Sequence, residues 1–208
     1  MSEPGVMGEP GAMGEMARRA GACLAGGGVV LVPTDTVYGL AAHPTRDDAV
    51  DRVFALKRRP RTRNLPILIP SLADLDALGV EITEPARLLM AAYFPGPLSL
   101  ALGLRPGAAP AWLAGRTEVA VRMPADPAVL AILDVTGPLL VTSANLHEQS
   151  TPESVPSILA MLDGEPDFVV DGGVRQGQPS TLVNCNLAVP AVEREGAIPR
   201  DAIARVLR

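Results

Sequence analysis

A cluster of positive charge between residues 57 and 63 offers the clearest chemistry in the sequence. Five of the seven residues in the run Lys57-Arg58-Arg59-Pro60-Arg61-Thr62-Arg63 are basic, whereas the 208-residue chain has a formal net charge of −5. Like charges this close repel one another unless an anion or solvent lies between them. Arginine forks and a lysine ammonium together could bind phosphate or carboxylate. A solvated basic loop after a helix is the alternative that composition leaves open.

Small polar side chains follow two of the predicted strands. The segment 34–36 (Thr-Asp-Thr) comes after the apolar run 29–32, and the segment 142–145 (Thr-Ser-Ala-Asn) comes after the apolar run 139–141. Ligand sites in open α/β sheets lie at strand ends, so both segments are candidates for binding. A plain turn held by Asp and Thr side chains is the alternative for the first segment. Cations beside such groups suit a protein that positions a phosphorylated ligand next to a small polar one.

Motifs of several common sites are absent from the sequence. It contains no Gly-x-x-x-x-Gly-Lys-Ser/Thr loop and no Gly-x-Gly-x-x-Gly after its first predicted strand, which argues against P-loop and Rossmann nucleotide sites. Ser143 lacks a Gly-x-Ser-x-Gly context, and only His43 and His147 could serve as a base, so a serine hydrolase is disfavoured. Cys23 and Cys185 have no metal-type spacing, and we expect no metal held by protein ligands.

Composition indicates a globular protein of a reducing compartment. Apolar residues make up 48% of the chain, charged residues 20% and aromatic residues 3%, so Leu, Val, Ala and Ile must fill the core. The acidic balance argues against coating nucleic acid through bulk charge. No apolar run reaches membrane-spanning length, and the N-terminus lacks the order of a signal peptide. We therefore expect a cytoplasmic protein with no membrane partner and with both cysteines as buried thiols.

The N-terminal segment differs from the rest of the chain. Within residues 1–16 the unit Glu-Pro-Gly-x-Met-Gly occurs twice, and Gly and Pro at this density disfavour a helix or a buried face. We predict a disordered tail over residues 1–16 and one folded domain over residues 17–208. A chain of this length is ordinary for a single domain, and no linker divides it.

The elements that must position these groups follow from apolar patterning and capping residues. Helices are predicted over 17–25, 45–56, from 71 onward, and over 83–93, 127–134, 151–162 and 200–207, with capping boxes at Thr45/Asp48 and Ser71/Asp74. Strands are predicted over 29–32, 65–69, 98–104, 119–124, 139–141, 168–170, 180–184 and 192–198. Because the two types mix without strict alternation, we expect an α/β fold, a mixed twisted sheet with helices on its faces.

Seven short motifs occur in order along the chain. They are Pro33-Thr34-Asp35-Thr36-Val37-Tyr38-Gly39, Lys57-x-Arg59-Pro60, Pro95-Gly96-Pro97-Leu98, Val121-Arg122-x-Pro124, Thr142-Ser143-Ala144-Asn145, Asp171-Gly172-Gly173 and Ser180-Thr181. Any one of them is weak alone, but seven in order within one domain make a specific signal. The sequence resembles the YrdC-like family of L-threonylcarbamoyladenylate synthases over roughly residues 17–208. The resemblance is to the short form of the family, without its extra C-terminal domain.

The resemblance implies a fold, a reaction and partners. The fold would be a mixed α/β open twisted sheet around a basic concave cavity. The enzyme, a nucleotidyltransferase, would join L-threonine, bicarbonate and ATP into threonylcarbamoyl-adenylate and pyrophosphate, with Mg²⁺ carried by the ATP substrate. Partner proteins would then transfer the threonylcarbamoyl group to the adenosine next to the anticodon of certain tRNAs. Binding of tRNA or double-stranded RNA by the chain itself is a further expectation.

The resemblance also implies roles for particular residues. The catalytic residues would be Lys57 and Arg59, which bind the triphosphate together with Arg63. Two further residues would contact ATP, Asn145 and Arg194. Four would hold L-threonine: Thr36, Arg122, Ser143 and Ser180. Arg122 is a natural partner for the threonine carboxylate. Structural alternatives stay open, because Arg122 could form an internal ion pair, Asn145 could cap a turn, and Arg194 could lie on the surface.

Three positions depart from the family pattern. Leu68 stands about where members often carry His, Leu146-His147 replaces a common Ser-Gly, and Asn184 replaces an acidic residue. The first two changes could alter the amine that is accepted or whether synthesis occurs. Two alternatives therefore remain: a paralogue that binds nucleotide or RNA without adenylation, which would show a steep salt dependence, and a carbamoyl-adenylate enzyme with another acceptor.

Overall fold

The computed structural model describes residues 11–61 and 64–208 and contains one mixed sheet within them. Its strands are β1 (Val30–Val32), β2 (Gly39–Ala42), β3 (Ile67–Leu68), β4 (Leu98–Gly103), β5 (Glu118–Arg122), β6 (Leu139–Ser143), β7 (Phe168–Val169), β8 (Thr181–Asn184) and β9 (Ala191–Arg194). The spatial order is β7-β1-β2-β6-β3-β5-β4-β8-β9. Three neighbouring pairs, β1–β7, β3–β5 and β4–β8, are parallel, and the other pairs are antiparallel. The predicted mixed α/β class is confirmed.

Helices lie on both faces of this sheet. They are α1 (Ala12–Ala25), α2 (Asp47–Leu56), α3 (Asp74–Ala77), α4 (Glu84–Tyr93), α5 (Pro127–Thr136), α6 (Val155–Met161) and α7 (Arg200–Val206), with a 3₁₀ turn at Ala111–Leu113. In the described part of the chain, none of these helices combines the length and apolar character needed to cross a membrane.

Side-chain alternation along the strands divides the core in two. In β5, Val119 and Val121 join the larger core, to which α2, α3, α4, α6 and α7 contribute, so Arg122 points to the opposite face. On that opposite face, α1 and α5 pack over β1, β2, β3 and β6 through residues such as Leu24, Ile132 and Leu139. Arg122 therefore lies on the face that carries the smaller core, toward the β4–β8 side of the sheet.

Strand direction places the predicted binding segments at opposite edges of the sheet. β1 and β6 run in the same direction, because both are antiparallel to β2. β5 runs the other way, since it is parallel to β3, which is antiparallel to β6. The ends of β1 and β6 therefore lie at one edge and Arg122, at the end of β5, lies at the other. The loop after β1 crosses the face and reaches Arg122.

Two helix starts are capped as local chemistry dictates. Thr83 accepts a hydrogen bond from the backbone N–H of Ala86 and opens α4, as predicted. The Asp126 carboxylate accepts from the N–H groups of Ala128 and Val129, and Pro127 occupies the first turn of α5. Asp126 thereby fixes the segment that follows Arg122 and β5.

The first helix begins earlier than predicted. α1 starts at Ala12, so the prediction of a disordered tail is wrong for residues 12–16. The helix is held by tertiary packing, because Ala17, Ala20 and Leu24 are buried in the smaller core, whereas each of its two interior glycines costs only about 1 kcal/mol. Residues 1–10 lie outside the described residues, and their disorder stays a prediction.

Three other helix starts also differ from the predictions. The helix predicted from Ser71 begins at Asp74. The Thr45/Asp48 capping box is wrong, because α2 begins at Asp47 while Thr45 Oγ1 bonds to His43 Nδ1 and Asp48 pairs with Arg46. The helix predicted from residue 151 begins at Val155.

Strand β2 was not predicted. Its sequence, Gly-Leu-Ala-Ala, lacks the β-branched and aromatic residues that mark strands. Hydrogen bonds to β1 on one side and β6 on the other stabilise β2 as a strand despite this low local propensity. The remaining strands match their predicted positions with shifts of a few residues at their ends.

Candidate active site

The buried Arg122 side chain is the centre of one group of site residues. It is 6% exposed and donates from Nε to Gly96 O (3.0 Å), from Nη1 to Thr36 Oγ1 (2.8 Å) and from Nη2 to Asp35 Oδ1 (2.6 Å). The loop after β1 therefore reaches across the face to the end of β5. Three of the five guanidinium N–H groups have acceptors among the described residues, which leaves two for a ligand.

The charge of Arg122 is balanced within this group. Burial lowers the pKa of the Arg122 guanidinium, Asp35 opposes that shift, and Arg194 adds to it. The structure thus shows an internal ion pair, the structural alternative for Arg122. The two roles are compatible, because a carboxylate ligand needs only two further N–H donors.

Ser180 and Arg194 lie beside this centre. Ser180 precedes β8, and its hydroxyl is 2.8 Å from the hydroxyl of Ser99 on β4. Arg194 donates from Nη2 to Ser180 O (2.9 Å) and Ser180 Oγ (3.1 Å). Arg194 is an exposed residue of the edge strand, and partial burial of its guanidinium lowers the pKa of the side chain. These hydrogen bonds hold the Arg194 head group at Ser180, although the residue lies at the surface.

Lys57 is the centre of a second group. It is the single lysine of the sequence and is 1% exposed. Its ammonium donates to the backbone carbonyls of Ser143 and, at 2.7 Å, Asn145. Burial, followed by the nearby charge of Arg59, lowers the pKa of Lys57 to about 7. An anion at this position would favour the ammonium form again.

The basic cluster is divided by its contacts. Arg58 pairs with Asp163 (2.8 Å), and Arg61 pairs with Asp51 and stacks on the Phe54 ring. These two residues stay on the surface. Arg59 instead reaches the strand end, where Nη1 donates to Thr142 Oγ1 at 3.3 Å. Among the described members of the cluster, Arg59 and Lys57 thus point toward β6.

Arg63, a predicted triphosphate ligand, lies outside the described residues, and its role stays a prediction.

Asn145 organises the loop that follows β6. Its Nδ2 donates to Leu146 O (2.6 Å) and Gln149 O (2.8 Å), and its Oδ1 accepts from Thr151 Oγ1 (2.9 Å). This is the turn-capping alternative for Asn145. The same contact explains why no helix begins at Thr151, since the hydroxyl of Thr151 closes the loop instead of capping a helix.

Residues 171–179, called the strap below, connect the loop after β1 to the segment before α6. Arg175 pairs with Asp126 at 2.9 Å, and its backbone N–H donates to Glu153 O at 2.8 Å. Gly177 packs so closely on Thr36 that a Cβ there would clash with the Thr36 carbonyl oxygen. The strap thereby touches the loop after β1, the start of α5 and the loop before α6.

Tyr38 anchors the beginning of the strap. Its fully buried hydroxyl lies 2.7 Å from Gly173 O and accepts from the N–H of Gly172 at 2.9 Å. Burial is the largest cause that raises the pKa of the Tyr38 phenol, so the phenol remains a donor. The functional prediction from the sequence omitted Tyr38 and Arg175. The motif position of Tyr38 was the available signal, whereas nothing in the sequence marks Arg175.

The departures from the family pattern occupy defined places. Leu68 lies opposite Arg122 in the β3–β5 register and packs in the smaller core. Leu146 lies in the loop that Asn145 organises. Asn184 donates from Nδ2 to Glu118 Oε2 (3.2 Å) and Glu193 Oε1 (2.7 Å). Leu68 is therefore the departure beside the Arg122 centre.

A cavity of about 310 Å³ lies away from all these groups. It is lined by Leu72, Val80, Ile82, Arg87 and Arg105, with further side chains from α3 and the segment that follows it. None of the predicted site residues contributes to its lining. The geometry of the site residues is the better guide to function, and a basic concave cavity around them stays a prediction.

Comparison with known proteins identifies the family of the chain. Residues 22–196 match the family model Sua5_yciO_yrdC, described as Telomere recombination. The Threonylcarbamoyl-AMP synthase of Bacillus subtilis is 36% identical over 192 residues, covering 91% of this chain and 56% of that protein. The chain thus spans about half the length of this relative. The resemblance that the sequence motifs predict is confirmed.

Solved structures show the same fold. Pyrococcus abyssi Sua5 complexed with L-threonine aligns with a TM-score of 0.84 at 34% identity, over 92% of this chain and 57% of that chain. Escherichia coli YciO aligns with a TM-score of 0.80 at 24% identity, over 91% of this chain and 93% of that chain, and shows likeness of fold. From the motifs, the fold and the family match together, we conclude that the chain belongs to the Sua5/YciO/YrdC family.

Proposed function

We propose that this chain synthesises L-threonylcarbamoyladenylate from L-threonine, bicarbonate and ATP, with release of pyrophosphate. The observation that carries the proposal is the buried Arg122 guanidinium, which keeps two N–H donors beside the Thr36 hydroxyl. A neighbouring Ser180–Arg194 pair adds a hydroxyl and a second cation. Such a site suits the carboxylate and hydroxyl of threonine, the amino acid in the complex of the Pyrococcus relative.

The reaction requires the protein to position the substrates and to stabilise developing negative charge, and it requires no protein nucleophile. The unprotonated threonine amine captures CO₂ from bicarbonate as a carbamate. A carbamate oxygen then attacks the α-phosphorus of ATP, a new P–O bond forms, and pyrophosphate leaves with the electron pair of the broken P–O bond. Negative charge collects on phosphate oxygens, so Lys57 and Arg59 would stabilise the reaction as cations beside the triphosphate. Arg122, Thr36, Ser143 and Ser180 would hold the amino acid.

ATP is the nucleotide substrate in this proposal, and Mg²⁺ would enter with its phosphates. Mg²⁺ is commonly held by substrate phosphates with few protein carboxylates. The side chains assigned to the triphosphate, Lys57 and Arg59, are cations and fit phosphate oxygens, not a metal ion. Asn145 and Arg194 are proposed further ATP contacts, although Asn145 would have to exchange some of its loop hydrogen bonds for a ligand.

The product would serve tRNA modification. We propose that partner proteins transfer the threonylcarbamoyl group to the adenosine next to the anticodon, and that this happens in the cytoplasm. Direct binding of tRNA or double-stranded RNA by the chain is a separate proposal. Its test is binding of labelled tRNA at several salt concentrations, because phosphate contacts give a steep salt dependence.

The decisive experiment measures pyrophosphate release from ATP and bicarbonate with L-threonine, with L-serine and with no amino acid. Threonine-dependent release is the expected result. Arg59→Ala should lower it strongly, and Arg58→Ala is the matched control, because Arg58 pairs with Asp163 on the surface. Unchanged release in Arg59→Ala would overturn the assignment of Arg59.

Other outcomes identify the alternatives. Release without any amino acid would indicate carbamoyl transfer to another acceptor. No release in any mixture from folded protein would favour a paralogue that binds without adenylation. The reversions Leu68→His and Leu146→Ser would then show whether a departure from the family pattern is responsible.

A further inference from the structure

The acidic side chain nearest to Arg122 has no role in the proposed reaction. The Asp35 side chain is 16% exposed, and its Oδ1 accepts from Arg122 Nη2 at 2.6 Å. The same oxygen accepts from the backbone N–H of Ala125 at 3.1 Å. Asp35 thus ties the loop after β1 to the segment that follows β5, at the position where the Arg122 side chain leaves its strand.

The three acceptors around Arg122 restrict its guanidinium. Gly96 O, Thr36 Oγ1 and Asp35 Oδ1 each engage a different nitrogen. A planar group held at all three nitrogens cannot rotate about its long side chain. Two N–H groups remain within the described contacts, and two is the number that a bidentate carboxylate takes.

We propose that Asp35 is a positioning residue that holds Arg122 so that its two remaining N–H groups meet the α-carboxylate of the amino-acid substrate. The inference rests on the proposed function for the class of substrate. Residues that hydrogen-bond to a metal ligand orient that ligand, and their loss costs about 10–100-fold in affinity or activity. Asp35 would orient Arg122 in the same way.

Electrostatics alone predicts the opposite result. Asp35 carries negative charge close to the proposed carboxylate position, so removing it would tighten amino-acid binding if charge were decisive. The neighbouring Arg194 repels Arg122, however, and without Asp35 the Arg122 guanidinium loses its counter-charge in a buried place. We therefore expect loss of orientation to outweigh the gain in charge.

The test is calorimetric binding of L-threonine to the full chain and to Asp35→Ala and Asp35→Asn. Asp35→Ala should raise the Kd for threonine about 10–100-fold, and Asp35→Asn, which keeps an acceptor oxygen, should lie between. In the pyrophosphate assay the KM for threonine should rise while the KM for ATP stays within about twofold. That split separates positioning from a general loss of structure.

The chain offers a matched control in Asp167. Its carboxylate also pairs with an arginine, Arg52, at 2.6 Å and also accepts from a backbone N–H, that of Val29, at 2.7 Å. It lies outside both groups of site residues. Asp167→Ala should leave the Kd for threonine unchanged. If Asp35→Ala fails to fold, Asp35→Asn provides the measurement.

The outcomes separate the inference from the proposed function. Threonine-dependent turnover with wild-type Kd in Asp35→Ala and Asp35→Asn would overturn the inference and leave the function standing. Threonine binding that both variants weaken, in a chain without turnover, would support the inference and overturn the synthase activity. A wild-type chain that binds no threonine would overturn both.

Discussion

The protonation of Lys57 should depend on whether ATP is bound, if Lys57 has its proposed role. In the free protein burial and Arg59 lower its pKa to about 7, so above that pH the amine is mostly neutral. The phosphates of ATP would favour the ammonium and raise the pKa on binding. At pH 8 ATP binding should therefore take up about one proton.

Calorimetry in buffers of different ionisation enthalpy measures this proton uptake. Lys57→Met should abolish it, whereas Arg58→Met, a change at an exposed and paired neighbour, should retain it. Equal proton uptake by the wild type and Lys57→Met would show that Lys57 does not change its charge when ATP binds.

Some contacts among the candidate site residues could be predicted from the sequence, and others could not. The resemblance predicted Arg122 and Thr36 together, and they share a hydrogen bond. The cluster 57–63 looks like one unbalanced basic group in the sequence because its acidic partners, Asp51 and Asp163, lie outside it. Asp163 lies 105 residues from Arg58, and no spacing rule connects them. For the same reason the Asp35–Arg122 pair, 87 residues apart, could not be found from sequence.

The strap is the element with the sharpest steric requirement. A Cβ at Gly177 would clash with the Thr36 carbonyl oxygen, which is backbone and cannot swing aside. Gly177→Ala should therefore displace Thr36 or the strap, raise the KM for threonine and destabilise the fold by about 1–3 kcal/mol. Steady-state kinetics and thermal unfolding measure the two effects.

Gly14→Ala is the control for the glycine change. Gly14 lies within α1, and a Cβ there meets only the Arg18 side chain at 3.8 Å. Replacing an interior helix glycine with alanine should leave KM unchanged and stabilise the helix by up to about 1 kcal/mol. A wild-type KM for threonine in Gly177→Ala would show that contact between the strap and Thr36 does not shape the amino-acid site.

Element positions followed from sequence where the local signals agreed with the tertiary structure. Thr83 and the proline behind it defined the start of α4 correctly. The signals failed where a distant partner decided the outcome. Packing against α5 extends α1 to Ala12, and the contact of Thr151 with Asn145 delays α6 to Val155.

At the scale of the whole molecule, the two cores share one sheet and should unfold together. Trp112, the single tryptophan, packs on the larger core, whereas Ile132 is buried in the smaller one. Ile132→Ala should cost about 2–5 kcal/mol. Because the sheet is common to both cores, fluorescence of Trp112 and far-UV circular dichroism should report the same shifted urea transition.

Val135→Ala is the control on the same helix, because Val135 is exposed, and its effect should stay within about 0.5 kcal/mol. Separate transitions for the two probes in Ile132→Ala would mean that the smaller core, with α1 and α5, unfolds independently of the larger one.

The fold class was predictable, but the strand order was not. Mixed helices and strands without strict alternation indicated a mixed sheet. The insertion of β3 between β6 and β5 depends on pairings between strands far apart in sequence, which local patterns do not encode. The relative positions of the strand ends were not predictable either, because β5 ends at the edge opposite to β6 and the loop after β1 crosses the face to reach Arg122.

The burial of the single lysine has a practical consequence for chemical modification. Apart from a free α-amino group at the N-terminus, Lys57 is the only primary amine of the chain, so an acylating reagent has one internal target. With 1% exposure, that amine reacts only when the end of β6 opens. The acylation rate at this position, read by mass spectrometry, therefore reports opening at the end of β6, the proposed triphosphate site, without any engineered label.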